Sequence, residues 1–284
     1  MTFTTRFAPS PTGPLHLGHA YSALLGFEMA RAAGGQFLLR IEDIDTQRSK
    51  PVWESAIYDD LTWLGLDWPT PPMRQSERIP AYRAALQRLW DRRLLYPCTC
   101  TRRDIQAATS APQEGAEPTY GPDGLVYPGT CRNAGVRTGD MPGDVPLRLD
   151  MQAALAEING QVPECVETGL GDTHAVSPRD MTDGVGDVVL SRRDFPGSYH
   201  LSVVCDDAAQ AITHVVRGAD LFDATKIHVL LQRLLDLPTP VYHHHRLIRD
   251  DAGKRLAKRD DARAIAKYRA EGATPQDIRA MVGL

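Results

Sequence analysis

The chain has 284 residues, of which 42% are hydrophobic and 24% charged, a balance typical of a globular protein with a sizeable core. A net charge of −4 excludes a globally basic nucleic-acid-binding protein, so any such contact would need a local basic patch. The amino terminus has no apolar signal segment and no stretch is long enough to span a bilayer, so we expect a cytoplasmic protein without a membrane partner.

The first part of the chain predicts a strand–helix–strand unit, with a helix that ends at Gly34-Gly35. Its elements are a strand over residues 2–7, a helix from Leu17 to Ala33 and a strand over residues 36–41. Such a unit implies a parallel sheet, in which ligands bind beyond the carboxyl ends of the strands. His16 and Glu42 fall at such ends.

The middle and the end of the chain differ in pattern. Helical periodicity covers residues 51–66 and 77–95, whereas glycine, proline and turn residues are dense from Cys98 to Gly186. We interpret the dense stretch as an insertion. Regular pattern returns in segments 187–190, 200–205 and 212–216, in a helix over 225–235, in a strand over 241–248 and in two short helices after Asp260.

Residues 6–19 read RFAPSPTGPLHLGH and contain the most informative pattern. His16 and His19 would share one face of a first helical turn, where backbone N–H groups and the helix dipole favour anions. Two imidazole donors there suit a phosphate that gains charge during a reaction, and Gly18 would let a nucleotide approach the backbone. Ordinary surface or core histidines are the alternative, which the upstream Ala8–Gly13 segment disfavours.

The cysteines suggest a metal site. Cys98 and Cys100 form a Cys-x-Cys pair, and Cys131 follows later in the same irregular stretch. Three clustered cysteines in a cytosolic protein favour structural zinc over disulfides. Three thiols without metal are the alternative, and no histidine between His19 and His174 offers a fourth ligand.

Four motifs, in this order, resemble the signatures of class I aminoacyl-tRNA synthetases of the glutamyl and glutaminyl type. They are Arg6 to His19 (the "HIGH" region), Leu39 to Arg48, Arg217-Gly-Ala-Asp220, and Arg255-Leu-Ala-Lys-Arg259 (the "KMSKS" loop). The loop has Ala257 where a serine is usual, which removes a hydroxyl but no charge. The resemblance covers essentially the whole chain and implies an α/β fold: the Rossmann-type parallel sheet of a class I synthetase, with a zinc-bearing insertion and a short C-terminal helical segment.

The expected organisation has four parts. Residues 1–97 and 187–250 would form the two halves of the nucleotide-binding domain, 98–186 the insertion with the zinc element, and 251–284 the signature loop and C-terminal helices.

The resemblance also implies ATP-dependent activation of L-glutamate, with Mg²⁺ bound to ATP. Catalytic residues would be His16, His19 and Lys258, and ATP would also contact Gly18 and Arg255. The glutamate pocket would contain Arg6, Ala8, Ser10, Glu42, Tyr199 and Arg217. Glu42 would bind the ammonium group, Arg6 the side-chain carboxylate and Arg217 the other carboxylate, because a guanidinium binds a carboxylate bidentately.

Each of these positions also has an alternative interpretation without a role in substrate binding or catalysis. Lys258 could be a basic surface residue, and Glu42 could form a surface ion pair with Arg40. Tyr199, which we place on a strand, could serve packing only. Arg217 is either buried and paired or a ligand, because it follows apolar Val215-Val216.

Within the family, the chain resembles the branch that attaches glutamate to queuosine in the anticodon loop of tRNA(Asp). Only twenty-five residues follow Arg259, so we expect no anticodon-binding region. Tyr127-Pro-Gly-Thr-Cys131 resembles the Tyr-x-x-x-Cys end of that branch's zinc motif, which implies Tyr127 as fourth ligand, with Tyr120 as the fallback. The implied partners are ATP, L-glutamate and queuosine-containing tRNA(Asp), with activation independent of tRNA; we expect a monomer. The alternatives are a truncated glutamyl-tRNA synthetase that charges a 3′ end and a non-catalytic tRNA-binding paralogue.

Two further patterns concern charge and histidine. Basic residues crowd the end of the chain and predict either a tRNA contact or a solvated helix face: Lys254, Arg255, Lys258, Arg259, Arg263, Lys267 and Arg269. His243-His244-His245 suggests a metal site, but alternation along a strand would keep the three side chains from converging.

Overall fold

The computed structural model describes residues 2–109, 119–135, 137–170, 175–249 and 263–284. The first unit is β1 (Thr4–Phe7), α1 (Leu17–Ala32) and β2 (Gln36–Ile41), which confirms the predicted strand–helix–strand unit. β1 and β2 run parallel with Thr4 opposite Gln36. After α2 (Pro51–Trp63), the short β3 (Met73–Arg74) adds a parallel strand beside β2.

The second half of the sheet lies on the other side of β1. It contains α6 (Tyr199–Ala209), β9 (His214–Gly218), α7 (Thr225–Leu234) and β10 (Val241–His245), and β9 and β10 are parallel. The Thr213 N–H group donates to the Thr4 carbonyl oxygen at 3.0 Å, where β9 begins beside β1. β1 therefore lies between β2 and β9, and in such parallel sheets ligands bind beyond the carboxyl ends of the strands.

The placement of Tyr199 on a strand was wrong. Tyr199 is the first residue of α6, and the Ser198 hydroxyl caps this helix by accepting from the Leu201 N–H group at 3.4 Å. The run of apolar residues after Tyr199 matched a buried strand because a short buried helix and a buried strand have the same composition.

The stretch between the two halves contains more helix than its turn-rich composition indicates. Residues 79–91 form α3 (Ile79–Asp91). Beyond it lie β4 (Leu95–Pro97), α4 (Arg102–Thr109), β5 (Tyr120–Gly121), β6 (Gly124–Leu125), β7 (Leu147–Leu149), α5 (Met151–Glu157), a π-helical turn (Asp180–Val185) and β8 (Val189–Ser191). β7 pairs antiparallel with both β4 and β8, so one small sheet joins the insertion to its flanks. The domain boundaries at 97 and 186 stay a prediction.

The last described segment packs against the beginning of the chain. It forms α8 (Ile265–Ala270) and α9 (Pro275–Val282), the two short helices that were expected. Ile265, Ile278 and Val282 are fully buried in the same apolar cluster as α1 and β2. Within the described ranges, no helix is long and apolar enough to cross a membrane.

Candidate active site and metal centre

His16 and His19 form a capping turn at the start of α1. The Gly18 N–H group donates to His16 Nδ1 at 3.1 Å, and the His16 N–H group donates to His19 Nδ1 at 3.2 Å. Since Nδ1 accepts in both rings, the proton of each neutral imidazole is on Nε2. The ring centroids lie 3.7 Å apart, so the two Nε2–H groups are neighbours at the helix N-terminus.

The local structure explains why position 18 is a glycine. A Cβ atom at this position would lie 3.0 Å from His16 Cε1 and 3.2 Å from His16 Nδ1. The absence of a side chain therefore lets the His16 ring fold back over the helix start. Close approach of a nucleotide to Gly18 stays a prediction.

Arg6 and Glu42 belong to a buried group of two arginines and two carboxylates at the carboxyl ends of β1 and β2. Asp207 Oδ1 accepts from Arg6 Nε at 3.0 Å and from Arg40 Nη1 at 2.6 Å. Arg40 Nη2 lies 3.2 Å from Glu42 Oε1. Burial raises the pKa of Glu42 against the opposing effect of Arg40 and Arg6. Although burial works the other way, the two guanidinium groups hold the pKa of Asp207 below its usual range.

The ion pair between Arg40 and Glu42 exists, but it is not a surface pair. The Arg40 side chain is 0% exposed and that of Glu42 is 10% exposed. The Glu42 N–H group donates to the Pro9 carbonyl oxygen at 3.0 Å, which holds Glu42 against the segment after β1 that contains Ala8 and Ser10.

Arg217 lies near the end of β9, is buried, and contacts only neutral groups in the described part of the chain. Its Nε donates to His244 Nε2 at 3.1 Å and its Nη1 to His228 Nδ1 at 3.1 Å. Its Nη2 donates to Thr225 Oγ1 at 2.7 Å and to the Leu221 carbonyl oxygen at 3.3 Å. The guanidinium charge is thus held in a fixed position without a carboxylate in direct contact.

Tyr199 shares an electrostatic environment with the other pocket candidates. Burial raises the pKa of Tyr199, Arg217 and Arg6 oppose this effect, and Glu42 and Asp207 add to it. Its ring packs edge-on against His228 at a centroid distance of 5.5 Å. The structure therefore brings Tyr199 close to Arg6, Glu42 and Arg217, although from a helix.

Cys98, Cys100 and Cys131 cluster so that their sulfur atoms all lie within 4.8 Å of one another and could hold a metal ion. The Tyr127 hydroxyl lies 3.5 Å from Cys98 Sγ and 3.4 Å from Cys100 Sγ, and accepts from the Cys131 N–H group at 2.8 Å. Tetrahedral zinc would hold its sulfur ligands roughly 3.8 Å apart, so the donor set fits this ion.

The thiol chemistry of the cluster also suits a cation. Burial raises the pKa of the Cys131 thiol, but hydrogen bonds, first of all with Tyr127, outweigh burial and lower this pKa to about 7. Arg148 Nε donates to Cys98 Sγ at 3.3 Å, and its guanidinium carbon lies 4.0 Å from the Tyr127 ring centroid. Thiolates are the metal-binding form of cysteine, and a nearby positive charge favours them.

Comparison with known proteins decides the family. The sequence pattern described as "tRNA synthetases class I (E and Q), catalytic domain" matches residues 2–284. This chain belongs to that family. The resemblance drawn from the signature motifs is thereby confirmed.

This synthetase has relatives that match it along most of their length. It is 63% identical over 283 residues to "Glutamyl-Q tRNA(Asp) synthetase" of Rhodobacter capsulatus, with 99% of each chain covered. It is 43% identical to the protein of the same name from Deinococcus radiodurans, with 99% of this chain and 88% of the relative covered.

Solved synthetase structures show the same fold. Glutamate-tRNA synthetase from Elizabethkingia anophelis has a TM-score of 0.76 and 26% identity, and the match covers 100% of this chain and 61% of that one. A glutamate tRNA ligase from Elizabethkingia meningosepticum in complex with its amino acid has a TM-score of 0.73 and 28% identity, again with 61% of its length covered.

Several predicted residues of this synthetase lie outside the described residues: Lys254, Arg255, Ala257, Lys258 and Arg259. The described chain resumes at Arg263, and the Ile265 N–H group donates to the Leu15 carbonyl oxygen at 2.9 Å. Ala264 pairs with His16 in an isolated bridge, so the first residues described after this gap lie beside the histidine turn.

The three histidines at the end of β10 have separate partners. His243 Nδ1 lies 3.0 Å from Thr168 Oγ1, His244 contacts Arg217, and His245 Nε2 lies 2.6 Å from Ser22 Oγ. They do not form a common metal site.

Sequence reasoning missed the residues that hold the pocket. Asp207, His228 and Glu167 were not singled out, although each contacts a pocket residue or its histidine neighbour. One signal was available for Asp207. Two adjacent acidic residues, Asp206 and Asp207, close an apolar run, and carboxylates buried in such a run need charged partners.

Proposed function

We propose that this chain activates L-glutamate with ATP and transfers the glutamyl group to the queuosine base in the anticodon loop of tRNA(Asp). One observation carries the proposal: in a class I synthetase fold, Arg6, Glu42 and Arg217 lie at neighbouring strands, where Arg6 Nη1 donates to the Val216 carbonyl oxygen at 3.4 Å, and the histidine capping turn follows β1. The relatives named glutamyl-Q tRNA(Asp) synthetase, which match the chain along its length, support this substrate.

The pocket offers complementary charges for glutamate, which brings two carboxylates and one ammonium group. Glu42 is the partner we assign to the ammonium group, because it is the carboxylate among the assigned pocket residues. Arg217 has no carboxylate in direct contact among the described residues, so its charge can meet a substrate carboxylate. Arg6 is assigned to the other carboxylate, and Tyr199 to a hydrogen bond with one of them.

Activation requires one oxygen of the glutamate carboxylate to attack the α-phosphorus of ATP while the bond to pyrophosphate breaks. The protein contributes mainly position and positive charge to this step. The Nε2–H groups of His16 and His19 would donate to the α-phosphate region. Lys258 and Arg255 would hold the departing phosphates, Mg²⁺ would bind with ATP, and the loop functions with Ala257 in place of serine. We propose that this step needs no tRNA.

The cysteine cluster is proposed as a structural zinc site. Its ligands would be Cys98, Cys100, Cys131 and Tyr127, a set in which every position is taken by protein. Zinc would supply folding free energy to the insertion rather than chemistry. We also propose that the enzyme acts as a monomer. Its tRNA substrate implies a cytoplasmic location.

Transfer of labelled glutamate tests the proposal. Purified protein, ATP and labelled glutamate are incubated with native tRNA(Asp), with unmodified tRNA(Asp) transcript and with tRNA(Glu). We expect label only on the native tRNA(Asp), and nuclease cleavage should recover it in the anticodon fragment rather than in the 3′ fragment.

The other outcomes identify the rivals. Equal labelling of the unmodified transcript, or efficient charging of tRNA(Glu), would show an ordinary glutamyl-tRNA synthetase. Pyrophosphate exchange that needs tRNA, or that prefers glutamine, would exclude tRNA-independent glutamate activation. Tight tRNA binding without any exchange would show a non-catalytic paralogue.

A further inference from the structure

Arg217 lies between two imidazoles, each of which leads to a carboxylate. On one side, His244 Nε2 accepts from Arg217 Nε at 3.1 Å, and His244 Nδ1 lies 2.5 Å from Glu167 Oε2. Glu167 precedes β10 by many residues, and its side chain is only 3% exposed. The first relay is therefore Glu167–His244–Arg217.

The second relay is longer and ends in the insertion. His228 Nδ1 accepts from Arg217 Nη1 at 3.1 Å, and His228 Nε2 lies 3.0 Å from His200 Nδ1. His200 Nε2 lies 2.8 Å from Asp123 Oδ1. Asp123 belongs to the turn between β5 and β6, in the same insertion as the cysteine cluster.

The chemistry of a guanidinium group fixes the direction of both relays. Because arginine can only donate, the imidazole nitrogen that faces Arg217 must carry no proton in either His244 or His228. The proton of His244 is then on Nδ1 and is donated to Glu167. The proton of His228 is on Nε2 and is donated to His200, whose own Nε2–H group is donated to Asp123.

We propose that Glu167 and Asp123 are positioning residues for glutamate binding, each acting through histidine on Arg217. This inference rests on the proposed function, in which Arg217 binds a substrate carboxylate. Each carboxylate fixes the tautomer of an imidazole and thereby the orientation of the guanidinium group. Since an imidazole separates them from Arg217, neither carboxylate competes with the substrate for direct contact.

The buried end of the first relay is itself rigidly held. Glu167 Oε1 accepts from the N–H groups of Gly169 at 2.7 Å, Leu170 at 3.0 Å and His244 at 3.1 Å. The second relay connects the pocket to the insertion, so the insertion contributes to glutamate binding as well as carrying the cysteines.

Kinetics of pyrophosphate exchange test the proposal through Glu167→Gln and Asp123→Asn. Each amide can offer an N–H group where only an acceptor fits, and so favours the wrong tautomer. We expect the KM for glutamate to rise about tenfold, the effect of weakening a hydrogen bond to a charged group, while the KM for ATP and kcat stay close to the wild-type values. Asp183→Asn is the matched control, because Asp183 is exposed and its side-chain partners among the described residues are Arg179 and Thr182, outside both relays. An unchanged glutamate KM in both relay variants would overturn the proposal.

Nitrogen NMR of the wild-type protein gives a second readout that does not depend on activity or on the stability of a variant. We expect a proton on Nδ1 of His244 and on Nε2 of His228 and His200. The opposite tautomer, or a charged ring, at His244 or His228 would overturn the relays. A wild-type protein without glutamate-dependent exchange would instead overturn the proposed function, and the tautomers would still show whether the relays exist.

Discussion

Each histidine of the capping turn has one ring nitrogen committed to a backbone N–H group. Gly18 and His16 supply these N–H groups, and the same pairing puts the proton of each neutral ring on Nε2. His244 and His228 show the reverse arrangement, since each turns an unprotonated nitrogen toward Arg217. Histidine therefore presents a protonated nitrogen at the capping turn and an unprotonated nitrogen at Arg217, and the hydrogen-bond partner of the other ring nitrogen sets the difference.

His19 allows catalysis and helix capping to be measured apart. His19→Ala should slow adenylate formation by about a hundredfold, because one transition-state donor is lost. It should also cost about 1 kcal/mol of stability, because half of the capping box is lost. His19→Asn keeps a side-chain acceptor for the His16 N–H group, so it should lose the activity but not the stability. Full exchange activity in either folded variant would show that His19 has no catalytic role.

Glu167 predicts a pH dependence of stability. Burial raises the pKa of Glu167, but hydrogen bonds from His244 and from backbone N–H groups outweigh burial and lower this pKa to about 2. In the unfolded chain the pKa of a glutamate is about 4.3. Because the pKa of Glu167 is lower in the folded protein, the ionised carboxylate stabilises the fold fully above about pH 4.3, and this stabilisation is lost as the pH falls toward 2.

Denaturant unfolding at several pH values checks this dependence. Wild type should exceed Glu167→Gln in the free energy of unfolding by roughly 1–2 kcal/mol at pH 7, and the difference should shrink below about pH 4.5. A difference that stays constant down to pH 3 would contradict the role of the ionised carboxylate.

Three helices illustrate which elements the sequence could predict and why. α1 was predicted almost to the residue, because an uninterrupted apolar helix begins after the histidine pattern and ends at Gly34, whose φ is +63°. α6 was taken for a strand, since its buried residues carry no amphipathic period. α5 was missed as well: it is only seven residues long and begins at Met151, after Asp150, whose carboxylate caps it by accepting from the Ala153 N–H group at 3.1 Å.

The cysteine cluster gives a prediction for the insertion. Cys98→Ser and Cys131→Ser should each lose bound zinc and lower the melting temperature, because a structural metal contributes folding free energy. Cys165→Ser is the control and should retain the metal, since Cys165 lies outside the cluster. Metal analysis of purified wild-type protein decides the matter. Less than about half an equivalent of zinc per chain in metal-replete protein would favour three thiols without metal.

The candidate active site is assembled from segments far apart in the chain, and this limited what the sequence could predict. Signature motifs located Arg6, Glu42 and Arg217, because each lies inside a short recognisable block. Their partners Asp207 and His228 lie in no such block, and only the packing of α6 and α7 beside β1 and β9 brings them to the site. Local pattern carries no information about such contacts.

The basic carboxyl-terminal region yields a prediction about tRNA. Lys267→Glu should weaken tRNA use roughly tenfold at low salt and reduce its salt dependence, while adenylate formation stays nearly unchanged, because phosphate contacts position RNA without touching the ATP pocket. Lys267 is a better choice than Arg263, which pairs with Glu271. Arg31→Glu, at the exposed far end of α1, is the control. If both variants lost tRNA use, the effect would come from the change in net charge and not from a tRNA contact at Lys267.

The burial of Ile265, Ile278 and Val282 against α1 has a consequence for how the protein is made. The apolar cluster that supports the histidine turn contains residues from both extremes of the sequence. During translation, β1, α1 and β2 leave the ribosome long before the residues that complete their packing. This cluster cannot close until residues up to Val282 have emerged, so the nascent amino-terminal unit exposes apolar surface and depends on late, long-range contacts that form slowly.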